Sequence, residues 1–92
     1  MEKVVLSKPF VFEDKEYREI EMDLEGLTGR DLINAANVAK TLGDPSPVAE
    51  LSKAYLAAVA ARAAKVPVEL ITSLPAKDFT AVTLAVQNFL FE

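Results

Sequence analysis

The sequence predicts an α+β fold: a two-stranded antiparallel hairpin packed on a bundle of three to four helices. Apolar and polar residues alternate up to about residue 24, as in half-buried strands, and apolar residues then recur at helical spacing. With 92 residues, of which 51% are hydrophobic and 26% charged, the chain is large enough for one modest core. We therefore expect a single domain over residues 1–92.

The acidic β-hairpin is predicted over residues 1–27, with its turn at Glu13-Asp14-Lys15. An isolated hairpin is marginally stable in water, so we expect its apolar face to pack on helices. The apolar residues on that face are Val4, Leu6, Phe10 and Phe12 in the first strand and Ile20, Met22 and Leu24 in the second.

The helical part is predicted over residues 28–92. Its first helix is expected to begin at Thr28, which is a favourable N-cap, with Asp31 in the first turn. We expect Gly43 to end this helix and residues 44–47, which include two prolines, to form a turn. The predicted apolar positions of the helix are Leu32, Ile33, Ala36, Ala39 and Leu42.

A second helix is expected from about Val48 to Lys65, before Pro67. Eight alanines between Ala49 and Ala64 favour helix formation and permit close packing. Its predicted apolar positions are Val48, Leu51, Tyr55, Leu56, Val59 and Ala63.

A short helical piece is expected over residues 68–74, and Pro75 suits the first turn of a final helix. The predicted buried positions of this last helix are Phe79, Val82, Val86, Phe89 and Leu90.

The absence of Cys and His excludes zinc fingers, haem ligation by these residues, disulfides and nucleophile–His machinery. Seven carboxylates lie between Glu13 and Glu25, but they do not have the spacing of a calcium-binding loop. Alternate carboxylates on a strand are roughly 6.5 to 7 Å apart, too far for two neighbours to hold a small ion alone. We therefore predict no metal site and no cofactor. An enzyme could still use carboxylate, Lys, Tyr, Ser or Thr chemistry, and composition alone does not decide whether this chain does.

The net charge of -4 arises within residues 1–27, which carry eight acidic and four basic residues. Scattered basic residues in an acidic chain argue against nucleic acid as a direct ligand. The Ala-rich stretch from Ala54 to Ala64 is far shorter than the roughly 20 residues of a membrane span, so no membrane partner is expected. The first residues lack a signal-peptide pattern, which favours a cytosolic location.

Three carboxylates of the second strand, Glu19, Glu21 and Asp23, are expected on its solvated face. They either keep an exposed sheet edge from pairing with another chain or steer a basic partner towards it. Both interpretations stay open.

Other candidate contacts lie in the helices. Tyr55 is either a core residue with its hydroxyl near the rim or an interface anchor, and Arg62 is suited to pair with a partner's carboxylate. Ala58 would let a partner helix approach closely. Near the chain's end, Phe89 either completes the core or anchors a partner, and Phe91 is predicted to dock a partner or another subunit.

Several short segments, in this order and spacing, resemble the tail assembly chaperones of long-tailed bacteriophages, the family of tail assembly proteins E, 41 or 14. The segments are Leu6-Ser7-Lys8-Pro9 leading into Phe12-Glu13, Tyr17 and Ile20, Leu27-Thr28-Gly29-Arg30-Asp31-Leu32, the helix from Tyr55 to Ala64, Leu74-Pro75-Ala76-Lys77-Asp78, and Asn88-Phe89-Leu90-Phe91.

The resemblance implies a non-enzymatic assembly factor of the host cytoplasm. Such a factor binds the tape measure protein, helps to recruit tail tube subunits and leaves before the virion is complete. In many such phages a frameshift extends the short form into a longer one. Self-association of this chain stays open.

Three other classes of protein compete with this interpretation, and a small hydrolase that uses only carboxylates ranks last among them. An acidic inhibitor or antitoxin-like module would use the hairpin to cover a basic protein surface, and its binding would depend strongly on salt. An acyl carrier protein would need a modified Ser in an Asp-Ser-Leu setting, whereas this chain has Thr72-Ser73-Leu74.

Overall fold

The computed structural model describes residues 1–42 and 52–91, and these have the predicted α+β architecture. The two strands pair antiparallel, and the helices follow them in the chain. The predictions for Gly43, for residues 44–47 and for a helix start at Val48 lie outside the described residues. The elements are β1 (Glu2–Phe12), β2 (Lys15–Met22), α1 (Gly29–Thr41), α2 (Lys53–Ala64), α3 (Val68–Thr72) and α4 (Ala76–Phe91).

The hairpin turns at Glu13 and Asp14, which have φ angles of 49° and 66°. Positive φ at both central residues is typical of a type I′ turn, whose twist matches that of the strands. Phe12 and Lys15 face each other across this turn. The predicted inner face is confirmed: Leu6, Ile20, Met22 and Leu24 are buried, and Val4, Phe10 and Phe12 are partly buried.

A bulge in β1 ties the hairpin to α4. Val5 pairs with Glu19 and Phe10 with Tyr17, so the residues between Val5 and Phe10 stand opposite a single residue of β2. In this bulge the backbone N–H and the hydroxyl of Ser7 each donate a hydrogen bond of 2.9 Å to the Asp78 carboxylate. Asp78 lies in the first turn of α4 and is only 3% exposed.

The helix α2 lies at the centre of the molecule. It packs against α1, α3, α4 and β2, and all its residues from Tyr55 to Ala61 are buried. The small alanine side chains let backbones approach from several sides. A hydrogen bond of 3.0 Å from the Asp23 amide to the Ala63 carbonyl fixes the end of β2 to this helix.

The helix α2 ends near Lys65, as the sequence predicted, and the structure shows that it does so in a Schellman motif. Lys65 is left-handed, with φ 60° and ψ 44°. The Lys65 amide donates to the Arg62 carbonyl, and the Val66 amide donates to the Ala61 carbonyl at 3.0 Å. At the other end of the helix, the Ser52 hydroxyl accepts a hydrogen bond from the Tyr55 amide.

The predicted start of α1 is confirmed, because Thr28 is its N-cap and forms a reciprocal capping box with Asp31. The predicted apolar face is partly wrong. Ile33 is 65% exposed and Leu42 is 40% exposed, whereas Ala35 and Ala39 are buried. The buried face follows the spacing of Leu32, Ala35, Ala36 and Ala39, and neither Ile33 nor the capping residue Leu42 lies on it.

The helix α4 begins directly after Pro75 and buries Val82 and Val86 fully, with Phe79, Phe89 and Leu90 partly buried. Thr83 is also fully buried, which the sequence did not predict. Its hydroxyl donates to the Phe79 carbonyl at 3.0 Å and lies 3.2 Å from the Lys53 ammonium, which donates to it. The buried hydroxyl is therefore satisfied.

The Ser7–Asp78 contact should contribute strongly to stability. Asp78→Ala removes both charge-assisted hydrogen bonds and should lower the free energy of unfolding by about 2 to 3 kcal/mol. Ser7→Ala, which keeps the backbone hydrogen bond, should cost about half as much. Urea unfolding measures both values, and equal losses for the two variants would contradict this account of the contact.

Because Lys65 has a left-handed backbone, replacing it with Gly should change the free energy of unfolding in the opposite direction from the same substitution within a helix. Lys65→Gly removes the strain of a β-carbon at positive φ and should raise the free energy of unfolding by about 0.5 to 1 kcal/mol. The matched variant Lys40→Gly, within α1, should lower it by about 1 kcal/mol. Thermal unfolding of both variants tests the opposite signs.

Candidate functional site

The described part of the chain offers surfaces for protein contacts. Within residues 1–42 and 52–91, no group of three or more acidic side chains is placed to hold a metal ion. No helix in these ranges is long and apolar enough to cross a membrane. Three features contain or adjoin every predicted contact residue except Tyr55: the acidic hairpin face, a groove among the helices and a cleft beside the end of α4.

The acidic hairpin face contains the predicted contacts Glu19, Glu21 and Asp23 in different settings. Glu19 is partly buried and lies 3.4 Å from the Lys3 ammonium across the strands. Glu21 is exposed. The Asp23 carboxylate accepts a hydrogen bond from the Gly26 amide at 3.2 Å and thereby shapes the turn that follows β2.

The groove among the helices, called here the helical groove, lies where α1 meets α2 and the start of α3. Its volume is about 200 Å³. This is below the roughly 300–1,000 Å³ of a drug-sized ligand pocket. The residues that line the groove are Ala35, Val38, Ala58, Ala61, Arg62, Val66 and Val68.

Two of the predicted contact residues, Ala58 and Arg62, therefore meet in one groove. Ala58 is only 4% exposed, so it contributes to the floor of the groove and does not project from the surface. Arg62 is exposed. Sequence reasoning missed the three valines of the lining, because Val38 lies in α1 whereas Val66 and Val68 lie just before and at the start of α3, and only the tertiary packing brings these two segments together.

Arg62, which the sequence suggested as a partner for another protein's carboxylate, is bound to an acid of its own chain. Its Nε donates to Asp31 Oδ1 at 2.7 Å. The other Asp31 oxygen, Oδ2, accepts a hydrogen bond from the Thr28 amide at 2.9 Å. The Arg62 guanidinium and, next, the Thr28 amide lower the pKa of Asp31 from its usual 3.8.

Tyr55 belongs to the core, which is the first of the two roles considered for it. It is 6% exposed and lies within the fully buried stretch of α2. Very little of the Tyr55 side chain is therefore accessible to a partner.

The cleft beside the end of α4, called here the terminal cleft, has a volume of about 430 Å³. One wall comes from Ala85, Asn88 and Phe89 of α4, and the other from Met1, Glu2, Leu24 and Glu25. Phe89 is partly buried, and Phe91, in the last turn of α4, is 54% exposed. No residue lines both the helical groove and the terminal cleft.

The fold and these surfaces define a small α+β protein whose described surface features suit contacts with other proteins. The family of phage tail assembly chaperone proteins E, 41 or 14 matches residues 3–90. The chain belongs to this family, which confirms the resemblance noted in its sequence. No curated protein and no solved structure gives a significant match to it.

The Asp31–Arg62 pair predicts a pH-dependent stability. Because the folded state lowers the pKa of Asp31, the contribution of this carboxylate is complete above its usual pKa of 3.8 and is lost as the pH falls through the lowered pKa. Asp31→Asn should therefore be less stable than the natural chain at pH 7, and this difference should shrink below about pH 4.

Urea unfolding between pH 7 and pH 2 measures that difference. Arg62→Gln removes the largest cause of the lowered pKa of Asp31. The stability of this variant should therefore depend less on pH than that of the natural chain. A gap between Asp31→Asn and the natural chain that stays constant down to pH 2 would count against the role of the pair.

Proposed function

We propose that this chain is a non-enzymatic chaperone that binds the tape measure protein through the helical groove during phage tail assembly. Its membership of the tail assembly chaperone family is the observation that carries the proposal. The family supports a contact with tail proteins, and the groove suggests how one of them is held.

A tape measure protein is long and helical, with apolar faces that need cover before the tail is built. The helical groove has a floor of small side chains, Ala35, Ala58 and Ala61, flanked by Val38 and Val68. Such a floor lets a helix backbone approach closely while its apolar side chains contact the valines. Binding of an amphipathic helix in an apolar groove is a common recognition mode.

Arg62 supplies a polar group at the rim of this groove. Its Nε is engaged by Asp31, and the rest of the guanidinium carries further N–H donors on a side chain that is 43% exposed. An acidic residue beside the apolar ridge of the partner helix would pair with these donors. Asp31 holds the guanidinium in place, which lowers the entropy lost on binding.

The rest of the proposal follows from the family. The chaperone acts in the cytoplasm of the host, whether the genes belong to a phage or a prophage, helps to recruit tail tube subunits and is not retained in the virion. The acidic residues Glu19, Glu21 and Asp23 are not among the residues that line the groove. They would attract a basic segment of a tail protein and would raise the rate of association more than the affinity.

Co-expression with the tape measure protein encoded beside this chain tests the proposal. The natural chain should keep the tape measure protein soluble and be recovered with it by affinity capture. Val38→Lys places a charge at the side of the groove, near Arg62, and should weaken capture at least about tenfold, since a desolvated charge and a lost apolar contact each cost 1 kcal/mol or more. Asn37→Lys adds the same charge at an exposed neighbouring position and should leave capture unchanged.

The salt dependence of binding distinguishes this proposal from the acidic-inhibitor alternative. At about 1 M salt the screening length falls to roughly 3 Å, so a contact made by the acidic hairpin would dissociate while an apolar one persists. A complex that survives salt and is weakened by Val38→Lys supports the proposal. A complex lost in salt favours the inhibitor, and capture unaffected by Val38→Lys overturns the assignment to the groove.

A further inference from the structure

The helix α4 presents an apolar strip that its own chain leaves uncovered. Leu84 is 49% exposed and Phe91 is 54% exposed. They are seven residues apart, about two helical turns, so they lie on the same face with Asn88 between them. Asn88 also lines the terminal cleft. The strip and the cleft are therefore adjacent, and together they are called the acceptor surface.

The acceptor surface is acidic at its edge. Glu2 and Glu25 line the terminal cleft, both are exposed, and neither forms an ion pair with another described residue. The side chains that line the cleft include no cation, and the α-ammonium of Met1, which also lines it, offsets only one of the two carboxylates. An occupant that combines an apolar centre with flanking cations would match this surface in both hydrophobicity and charge.

A surface with those properties is present on α1 of the same chain. Ile33 is 65% exposed, and exposed Arg30, Asn37 and Lys40 accompany it. Spacings of three, seven and ten residues from Arg30 place all four on one face of the helix. Neither Arg30 nor Lys40 forms an ion pair within the described residues. This face is called the donor surface.

From this complementarity we infer that a second copy of the chain docks the donor surface of its α1 onto the acceptor surface of the first. Ile33 packs against Leu84 and Phe91, and Arg30 and Lys40 approach the carboxylates of Glu2 and Glu25. The contact is heterologous, because each copy offers two different surfaces. Neither surface includes residues of the helical groove, so the inference goes beyond the proposed function.

The favourable local charges act against a general repulsion. Each copy has a net charge of -4, so two copies repel one another at long range. Association therefore needs a site where opposite charges meet, and the donor and acceptor surfaces provide one. The same reasoning makes the contact weak, concentration-dependent and sensitive to which charges are present.

The test uses the chain alone, with no tape measure protein, so that its outcome is independent of the proposed function. Light scattering and sedimentation equilibrium from about 10 μM to 1 mM should show a mass that rises above the 10.0 kDa monomer. Two double variants reverse one surface each: Arg30→Glu with Lys40→Glu on the donor side, and Glu2→Lys with Glu25→Lys on the acceptor side.

Each double variant by itself should associate at least about tenfold more weakly than the natural chain, because like charges then meet. An equimolar mixture of the two should recover association, since the acidic donor surface of one fits the basic acceptor surface of the other. Recovery in the mixture also shows that both variants are folded. Glu13→Lys with Glu16→Lys, near the turn of the hairpin, changes the net charge by the same +4 as the acceptor-side reversal and should not abolish association.

Other outcomes would overturn the inference. If the chain stays monomeric at every concentration, the proposed contact does not form in solution. Association that both double variants retain places it elsewhere on the chain. Loss of association in Phe91→Asp, with no effect of the donor-side reversal, would mean that two copies meet through α4 alone.

Discussion

The burial of α2 from Tyr55 to Ala61 is the constraint on which the rest of this structure depends. A helix that is buried over most of its length must pack against several elements, and α2 packs against α1, α3, α4 and β2. Its alanines make this possible, because Ala57 and Ala60 are fully buried without holding the neighbouring backbones apart. The small side chains also leave the shallow helical groove between α1 and α2. The packing that stabilises the fold thus also creates the surface proposed to bind a partner.

The hairpin is secured to this core by polar contacts as well as apolar ones. Two strands alone are marginally stable. The Asp78 carboxylate holds the β1 bulge through Ser7, and the Ala63 carbonyl holds the end of β2 through the Asp23 amide. A buried carboxylate is costly unless its oxygens are satisfied, and Ser7 satisfies both. The hairpin is thereby positioned so that its first residues form one wall of the terminal cleft.

The surfaces divide the molecule into separate working regions. The helical groove lies among α1, α2 and α3, whereas the terminal cleft lies between α4 and the hairpin. A chaperone with one surface for a tail protein and another for a second copy of itself would cover a long partner with several small subunits. The charges of the hairpin are proposed to steer a partner at longer range. Family membership establishes the class of protein, and the roles of these surfaces within that class are proposals.

Sequence by itself determined the hairpin, the cap at Thr28, the end of α2 near Lys65 and the family, because each depends on local chemistry or on the order of short motifs. It did not place Ile33, whose apolar side chain fitted a helical stripe and yet is exposed. Nor did it predict that Asp78 is buried against Ser7 or that Arg62 binds Asp31. The residues of the first pair are 71 apart in the chain and those of the second pair 31 apart. Local periodicity describes each helix alone. Only tertiary packing decides which face meets α2 and which charged groups find partners within the chain.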